Sequence, residues 1–314
     1  MKLARRGLLA TALALPVAAS AERFAGRYDP RAQRIADGIW MVRGKDGGIV
    51  FANGGAIANS AILASDGGAI VFDPGPSLQY GKALAALALK VTGKPVGRVF
   101  VSHLHPDHAF GAAAFDPGIV YALAETAHEI ERDGPGFSDA MYRLLAGWMT
   151  GTEVIVPPGR VEPGPLEFGG RKFVALALQG HSMGDLALLD EATGTLLAGD
   201  LVFLDRAPAT PDADPAKWRA ALDTLAATPH RLLVPGHGPL DETNRGIAQT
   251  RDWLDWLETS LKDAVARGLD MSEAGALAIP PRFAAMKAAR YELQRSVSHF
   301  YARLEAETLP RIDR

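Results

Sequence analysis

The chain has 314 residues, and its composition of 48% hydrophobic and 22% charged residues is that of an ordinary globular protein, which excludes a disordered, collagenous or coiled-coil chain. Residues 1–21 contain three bases and no acid, so the net charge of -3 becomes -6 without them (30 basic against 36 acidic residues), and no basic face for nucleic acid is indicated. The lack of cysteine excludes disulfides, thiolate metal ligands and cysteine nucleophiles.

The first 21 residues have the three parts of an export signal. Basic residues at positions 2, 5 and 6 precede an apolar run of about 13 residues, and Ala19-Ser20-Ala21 then offers a cleavage site. The run is shorter than the roughly 20 residues of a spanning helix, and a retained N-terminal anchor is the alternative. Arg5-Arg6 resembles a twin-arginine signal, but Ala4 stands where that signal has Ser or Thr, so general secretion stays open. We predict an exported, periplasmic protein whose mature chain has no membrane span.

Short apolar runs separated by glycine pairs predict the first group of strands. Strands are expected at 39–42, 61–64, 69–72 and 99–101. A helix is expected at 78–91, because Leu78, Leu84, Leu87 and Val91 fall on one face. The glycine-rich segment 44–59 is long for a loop, and loops of that length are usually mobile or functional, for example as a flap over a site.

The second half of the chain alternates further strands and helices. Gly134-Pro135-Gly136 is expected to break one helical stretch into two helices, at 122–132 and 138–149. Strands are expected at 154–156, 172–178, 186–189, 195–198 and 232–234. Further helices are expected at 215–226, 244–267 and 282–304, and the apolar stripe of the last one predicts packing against the rest of the protein.

The chain also runs through the same order of elements twice. A strand ending at Asp73 is followed by a helix and by a strand that leads to His103, and later a strand near Asp200 is followed by a helix and by a strand near His237. This order predicts two similar halves whose polar strand ends face one seam, where binding sites commonly lie.

The segment His103-Leu104-His105-Pro106-Asp107-His108 is the strongest signal for chemistry in the chain. His103 and His105 are two residues apart at the end of a strand, which places both imidazoles on one side of the backbone, where they can share an ion. Asp107 and His108 follow at the start of a helix and are expected to point toward a second ion.

The remaining ligands are expected from distant strand ends. His181, Asp200 and His237 each follow a glycine, which allows the tight turns that aim a side chain inward. Nitrogen and carboxylate ligands without sulfur suit zinc, with iron and manganese as open alternatives.

As a set, these motifs resemble the series of the metallo-β-lactamase superfamily, over roughly residues 35–240. The resemblance implies an α+β fold, the four-layer αββα sandwich, here with a C-terminal helical extension. It also implies two Zn²⁺ ions per chain. The first would be held by His103, His105 and His181, the second by Asp107, His108 and His237, with Asp200 bridging both and Asp73 orienting a ligand from outside. We divide the chain into a signal peptide (1–21), the metallohydrolase core (22–243) and C-terminal helices (244–314), of which the first completes the core.

The aspartate at position 200 favours one branch of that superfamily. Leu197-Ala198-Gly199-Asp200 resembles glyoxalase II, a thioester hydrolase, whereas metallo-β-lactamases lack an aspartate there. The export signal, Asp205-Arg206-Ala207-Pro208 and the 218–225 helix are similar to exported zinc metallohydrolases of quinoprotein relay systems and to their relative in sulfur-oxidation operons. The resemblance thus implies hydrolysis of a thioester or related ester. A β-lactam or lactone hydrolase, an iron-dependent persulfide dioxygenase and a non-catalytic accessory protein for quinoprotein maturation are the alternatives.

The resemblance implies a catalytic pair and a small-molecule substrate. Asp200 would hold both metals, and Asp107 would accept a proton. Arg206, Trp148 and Tyr142 are predicted substrate contacts: the arginine would pair with a substrate anion, and the two aromatic residues would form an apolar wall together with Phe137 and Met149.

Overall fold

The computed structural model describes residues 26–308, and the expected signal peptide lies outside the described residues. Two sheets form the centre of the described part. The first contains β1 (Ala32–Ala36), β2 (Ile39–Val42), β3 (Ser60–Leu63), β4 (Ala69–Phe72), β5 (Val96–Phe100), β6 (Val120–Ala122) and β7 (Gly159–Arg160), side by side in that order. The second contains β8 (Gly164–Phe168), β9 (Arg171–Leu178), β10 (Asp185–Asp190), β11 (Thr195–Phe203) and β12 (Leu232–His237), in the order β12-β11-β10-β9-β8.

Helices cover the outer faces of both sheets. They are α1 (Leu78–Thr92), α2 (Pro106–Ala109), α3 (Ala124–Leu145), α4 (Pro215–Ala227), α5 (Arg245–Ala266), α6 (Met271–Gly275), α7 (Pro281–Ala284) and α8 (Ala289–Thr308). Within residues 26–308, no helix combines the length and the apolarity needed to cross a bilayer.

Alternating side chains of the strands build the four layers. In β4, Ile70 and Phe72 pack between the two sheets, whereas Val71 packs against α1 and its neighbours. Both faces of the strand are therefore buried, which explains why its sequence is a continuous apolar run. Leu196 in the second sheet packs against α4, α5 and α8. The predicted αββα sandwich with additional C-terminal helices is confirmed.

The two halves of the fold repeat one unit, as the order of elements predicted. β4 pairs in parallel with β5 across α1, and β11 pairs in parallel with β12 across α4. Parallel strands end on the same edge of a sheet, so the segments after β4 and β5 lie at one edge of the first sheet and those after β11 and β12 at one edge of the second.

The expected break at Gly134-Pro135-Gly136 is wrong, because α3 runs through it from Ala124 to Leu145. Pro135 is exposed, so the hydrogen bond that proline cannot donate is lost on the solvent side. The opposite face of the helix is held by burial of Ile130 and Met141 in the core, and this packing outweighs the local preference.

Two further element predictions differ from the structure. Residues 154–156 form no strand, since the edge pairing occurs at β7, where Gly159 lies opposite Tyr121. The helix expected at 282–304 is divided into α7 and α8, because Lys287 exchanges backbone hydrogen bonds with Asp205 and Ala207 and Ala288 takes a left-handed conformation (φ 57°). These tertiary backbone contacts leave no trace in the periodicity of the sequence.

Candidate metal centre

The histidine-rich segment follows β5 and leads into α2. β5 ends at Phe100, so His103 and His105 lie in the connection and not in the strand itself. Pro106 occupies the first turn of α2, where its missing N–H costs nothing, and Asp107 and His108 follow on the helix. All four polar side chains of this segment are buried.

The first cluster of ligand atoms brings together His103, His105 and His181. His105 Nδ1 lies 3.0 Å from His103 Nε2 and 2.8 Å from His181 Nε2. His181 comes from the turn between β9 and β10, where Asp185 accepts hydrogen bonds from the backbone N–H groups of His181 and Ser182. Burial raises the pKa of the Asp185 carboxyl to about 7, against the effect of these donors.

The second cluster consists of Asp107, His108 and His237. His237 Nε2 lies 3.4 Å from both Asp107 Oδ2 and His108 Nε2. His237 is the last residue of β12, so the predicted position at the end of that strand is close to the observed one.

Asp200 reaches both clusters with one carboxylate. Its Oδ2 lies 3.3 Å from His181 Nε2 and 3.3 Å from His237 Nε2, and its Oδ1 lies 3.0 Å from His108 Nε2. The residue was expected after the strand but lies within β11, at an irregularity in the pairing that begins at Gly199. A Cβ on Gly236 would lie 1.9 Å from Asp200 Oδ1, so a glycine is required there for the carboxylate to fit.

Hydrogen bonds on the far side of each ring fix which nitrogen faces the clusters. Asp73 Oδ2 lies 2.8 Å from His108 Nδ1 and accepts its proton, so Nε2 presents a lone pair. Ser102 Oγ donates to the same Asp73 carboxylate at 2.9 Å and accepts from His103 Nδ1 at 2.9 Å. His237 Nδ1 donates to the carbonyl of Ile57 at 2.9 Å. Asp73 thus lies outside both clusters, with its carboxylate against the far side of the His108 ring.

Asp212 is a site residue that the sequence analysis missed. Its Oδ2 lies 2.8 Å from His105 Nε2, which directs the lone pair of Nδ1 toward the first cluster. Asp212 lies in the irregular segment between β11 and α4, and no spacing in the sequence connects it to His105. Its only signal is a polar side chain in a stretch otherwise rich in proline and alanine.

Mutual electrostatics adjust the protonation of the clustered groups. Burial lowers the pKa of His103 and of His181 well below the usual value. Burial acts the same way on His108, but the carboxylates of Asp200, Asp73 and Asp107 outweigh it and raise the pKa of His108 well above its usual range. Burial alone would raise the pKa of Asp200, but the neighbouring histidines, His237 first, hold it well below the usual range. The surroundings of His108 therefore favour a positive charge, whether a proton or a metal ion.

The donor set fits a pair of divalent ions. Each cluster gathers buried nitrogen and oxygen atoms within 4.8 Å of one another. Ligand nitrogens around a tetrahedral zinc ion lie about 3.3 Å apart, given bonds of about 2.0–2.1 Å, and the observed separations are near that value. Lone pairs that face one another without a proton between them repel, and a cation between them removes this cost. Asp200 Oδ1 is also buried without a hydrogen-bond partner among the described residues.

A cavity of about 250 Å³ opens above the clusters. Its lining is mainly apolar, and His105, Asp107, Asp200 and His237 form its floor. The loop 44–59 contributes Gly48, Ile49 and Ile57, so part of the predicted flap does border the site.

Of the predicted substrate contacts, Arg206 lines this cavity and two others do not. Arg206 is 2% exposed, and its Nη2 pairs with Glu292 Oε1 at 2.9 Å. Tyr142 donates a hydrogen bond to the carbonyl of Thr152, and the Trp148 ring packs on Tyr28 (centroids 4.5 Å apart), both away from the cavity.

The helical spacing of α3 determines which of its apolar side chains line the cavity. Phe137, Met141 and Leu144 face the cavity from this helix, whereas Tyr142 lies on another side of it. Met149, which was also expected in the apolar wall, is buried in the core instead.

Comparison with known proteins gives one family match and one distant curated relative. Residues 53–237, more than half of the chain, match the family described as "Metallo-beta-lactamase superfamily". A hydroxyacylglutathione hydrolase from Dechloromonas aromatica (strain RCB) is 27% identical over 166 residues, which are 53% of this chain and 52% of the relative. The chain therefore spans about half the length of that relative.

Solved structures share the fold at low sequence identity. A metallo-β-lactamase from Pontibacter korlensis is 18% identical with a TM-score of 0.59, covering 72% of this chain and 99% of the other. A stereoselective inverting sec-alkylsulfatase from Pseudomonas sp. is 17% identical with a TM-score of 0.65, covering 87% of this chain and 50% of the other. A metallo-β-lactamase from Erythrobacter litoralis is 18% identical with a TM-score of 0.56, covering 71% and 95%.

Proposed function

The chain belongs to the metallo-β-lactamase superfamily, and on that premise we propose that it is a dinuclear zinc hydrolase acting on a thioester or a related ester. The observation that carries the proposal is the position of Asp200, whose carboxylate lies within 3.3 Å of ligand atoms from both clusters. A single carboxylate shared in this way is suited to hold two ions near one another. The partial similarity to a hydroxyacylglutathione hydrolase supports the ester class.

The two clusters of this chain would each hold one metal ion. His103, His105 and His181 would hold one ion, and Asp107, His108 and His237 the other, with Asp200 shared between them. Two divalent ions supply a Lewis acid and a water that loses its proton near neutral pH. Water would add its oxygen to the acyl carbon while the carbon–sulfur or carbon–oxygen bond breaks, which yields a carboxylic acid and a thiol or alcohol.

Protein groups around the ions would orient and protect the reaction. Asp107 lines the cavity floor and is 6% exposed, so we assign it as the group that takes up a proton during the step. Asp73 and Asp212 hold the rings of His108 and His105 in the tautomers that face the clusters. The apolar wall from α3 and the loop 44–59 would limit the access of bulk water.

A substrate panel on zinc-loaded protein tests the proposal. Acyl-thioesters, lactones and a chromogenic cephalosporin are offered in parallel, and the proposal predicts the highest kcat/KM for a thioester. A cephalosporin as the best substrate would instead indicate a β-lactam hydrolase. Turnover of none of them would favour a metal-binding accessory protein, and an iron-dependent reaction with persulfide would favour a dioxygenase.

We also propose that the protein is exported. The support is the arrangement of residues 1–21 in the sequence, with its basic start, apolar run and Ala19-Ser20-Ala21. Mass spectrometry of the protein from a periplasmic fraction should find a chain that begins at Glu22. Recovery of the intact apolar segment in that fraction would contradict the proposal.

A further inference from the structure

We propose that the cavity accepts a substrate with one apolar group and one carboxylate, and that Arg295 on α8 binds the carboxylate. The inference rests on the proposed function, because it names the substrate class for the same site. Arg295 lines the cavity together with the floor residues His105, Asp107, Asp200 and His237. Its side chain is 33% exposed, so it lies between the buried centre and solvent.

Arg206 and Arg295 both lie beside one buried carboxylate, that of Glu292. Glu292 Oε1 pairs with Arg206 at 2.9 Å, whereas Glu292 Oε2 lies 3.7 Å from Arg295 Nη1, which is beyond hydrogen-bond distance. The Arg206 guanidinium is already engaged with that carboxylate and with the carbonyls of Gly47 and Ala207. Two guanidinium groups thus share one carboxylate, and the partly exposed one keeps donors for an anion from solvent.

The cavity also has apolar walls that suit an apolar group. Phe137, Met141 and Leu144 from α3 and Ile49 and Ile57 from the loop 44–59 form them. Such a wall contributes affinity by burial of apolar surface but offers no partner to a charge. A ligand that fills the cavity would therefore place its charge toward α8.

The helix that carries Arg295 lies outside the part of the chain that the family shares. The family match ends at residue 237, and α8 begins at Ala289. α8 also contacts the loop over the site, since a Cβ on Gly48 would lie 3.1 Å from the Tyr291 ring. The candidate metal ligands thus lie within the matched segment, while Arg295 lies beyond it on the C-terminal helices.

Two matched pairs of thioesters test the inference. S-phenylacetyl-3-mercaptopropionate and its uncharged amide place the charge on the leaving thiol, whereas S-benzyl monothioglutarate and its amide place it on the acyl side. In at least one pair the zinc-loaded wild type should prefer the carboxylate by about tenfold or more in kcat/KM. Arg295→Gln should abolish most of this preference, mainly by raising KM, and Arg295→Lys should retain part of it.

Arg303→Gln is the matched control, because Arg303 lies on the same helix but lines a different groove, beside Phe300. It should leave the carboxylate preference unchanged. An Arg295→Gln protein that folds, hydrolyses the esters and keeps the wild-type preference would overturn the inference while the proposed function stands. A wild type without any preference in either pair would overturn it equally.

A binding measurement separates the inference from the proposed function. Calorimetry of 5-phenylvalerate and 5-phenylvaleramide on the zinc-loaded protein should show tighter binding of the carboxylate in the wild type, with the difference lost in Arg295→Gln. That result supports the inference even if neither thioester is hydrolysed, in which case only the proposed function falls. A carboxylate that binds equally to both proteins would be held by the metal ions alone, and Arg295 would then have no role in binding.

Discussion

At the scale of single residues, Asp200 is the group on which the account depends most. Replacing it with serine removes an anionic ligand from both clusters at once, so Asp200→Ser should lose the second metal ion and reduce turnover by about 10-fold to 100-fold or more. Elemental analysis and steady-state kinetics on the same preparation measure both effects. Retention of two tightly bound ions with near-normal hydrolysis would count against the glyoxalase-like assignment.

Asp205→Asn is the matched control for that substitution. Asp205 lies just beyond β11, and its carboxylate is 2.9 Å from Arg245 at the surface. Its left-handed backbone (φ 54°) is one that asparagine also adopts readily. We expect this variant to keep its metal content and most of its activity.

Asp212 supports a second prediction at the same scale. Its contact with His105 Nε2 fixes the ring of a first-cluster ligand, so Asp212→Asn should weaken zinc binding by about 10-fold to 100-fold. Competition with a chromogenic chelator measures the affinity directly, without recourse to activity. Asp66→Asn removes an aspartate that is 95% exposed and should bind zinc like the wild type. Equal affinities in both variants would show that Asp212 does not position the ligand.

The residues of the centre differ in how far the sequence reveals them. His103, His105, Asp107 and His108 are adjacent in the chain, so their spacing alone indicated a shared site. Asp212 and Arg295 reach the site from segments without any motif, because only the folded packing of α8 and of the segment before α4 brings them there. Tyr142 was predicted as a substrate contact but does not line the cavity, because an aromatic residue close to a site in the chain need not face it.

At the scale of elements, the uninterrupted α3 leads us to expect opposite effects on stability when two of its glycines, Gly134 and Gly136, are replaced by alanine. A Cβ on Gly136 would meet nothing within 4 Å, so Gly136→Ala should stabilise the protein by about 1 kcal/mol through helix propensity. A Cβ on Gly134 would lie 2.7 Å from Val154 Cγ1, so Gly134→Ala should destabilise it. Urea unfolding of the two variants measures both signs. If both substitutions destabilised the protein, a helix broken at this point would be the better description.

Element prediction succeeded where packing and local pattern agree. The runs that became β4 and β11 are buried on both faces and were recognised from their apolar residues, although β11 extends further than expected. The strands β1, β6 and β8 were missed, since β6 has only three residues and β1 and β8 are interrupted by charged residues. The break between α7 and α8 depends on backbone contacts with a segment about 80 residues away, which periodicity cannot report.

At the scale of the whole molecule, the two sheets meet at the metal centre. The first sheet leads to His103 and His105, and the second carries Asp200 and His237, so bound ions would link the halves of the sandwich. Zinc at about 100 times its dissociation constant should stabilise the folded state by about 2.7 kcal/mol per site. Thermal unfolding should therefore shift upward with zinc and downward with a chelator. An unchanged transition would mean that the ions do not bind the folded state preferentially.

The most direct test of the dinuclear centre is the metal content of the purified protein. After zinc loading and removal of excess metal, elemental analysis should find about two zinc ions per chain, as the seven buried ligands predict. A content below about half an ion per chain would contradict a metal centre at these residues, and one firmly bound ion would contradict the bridging role of Asp200.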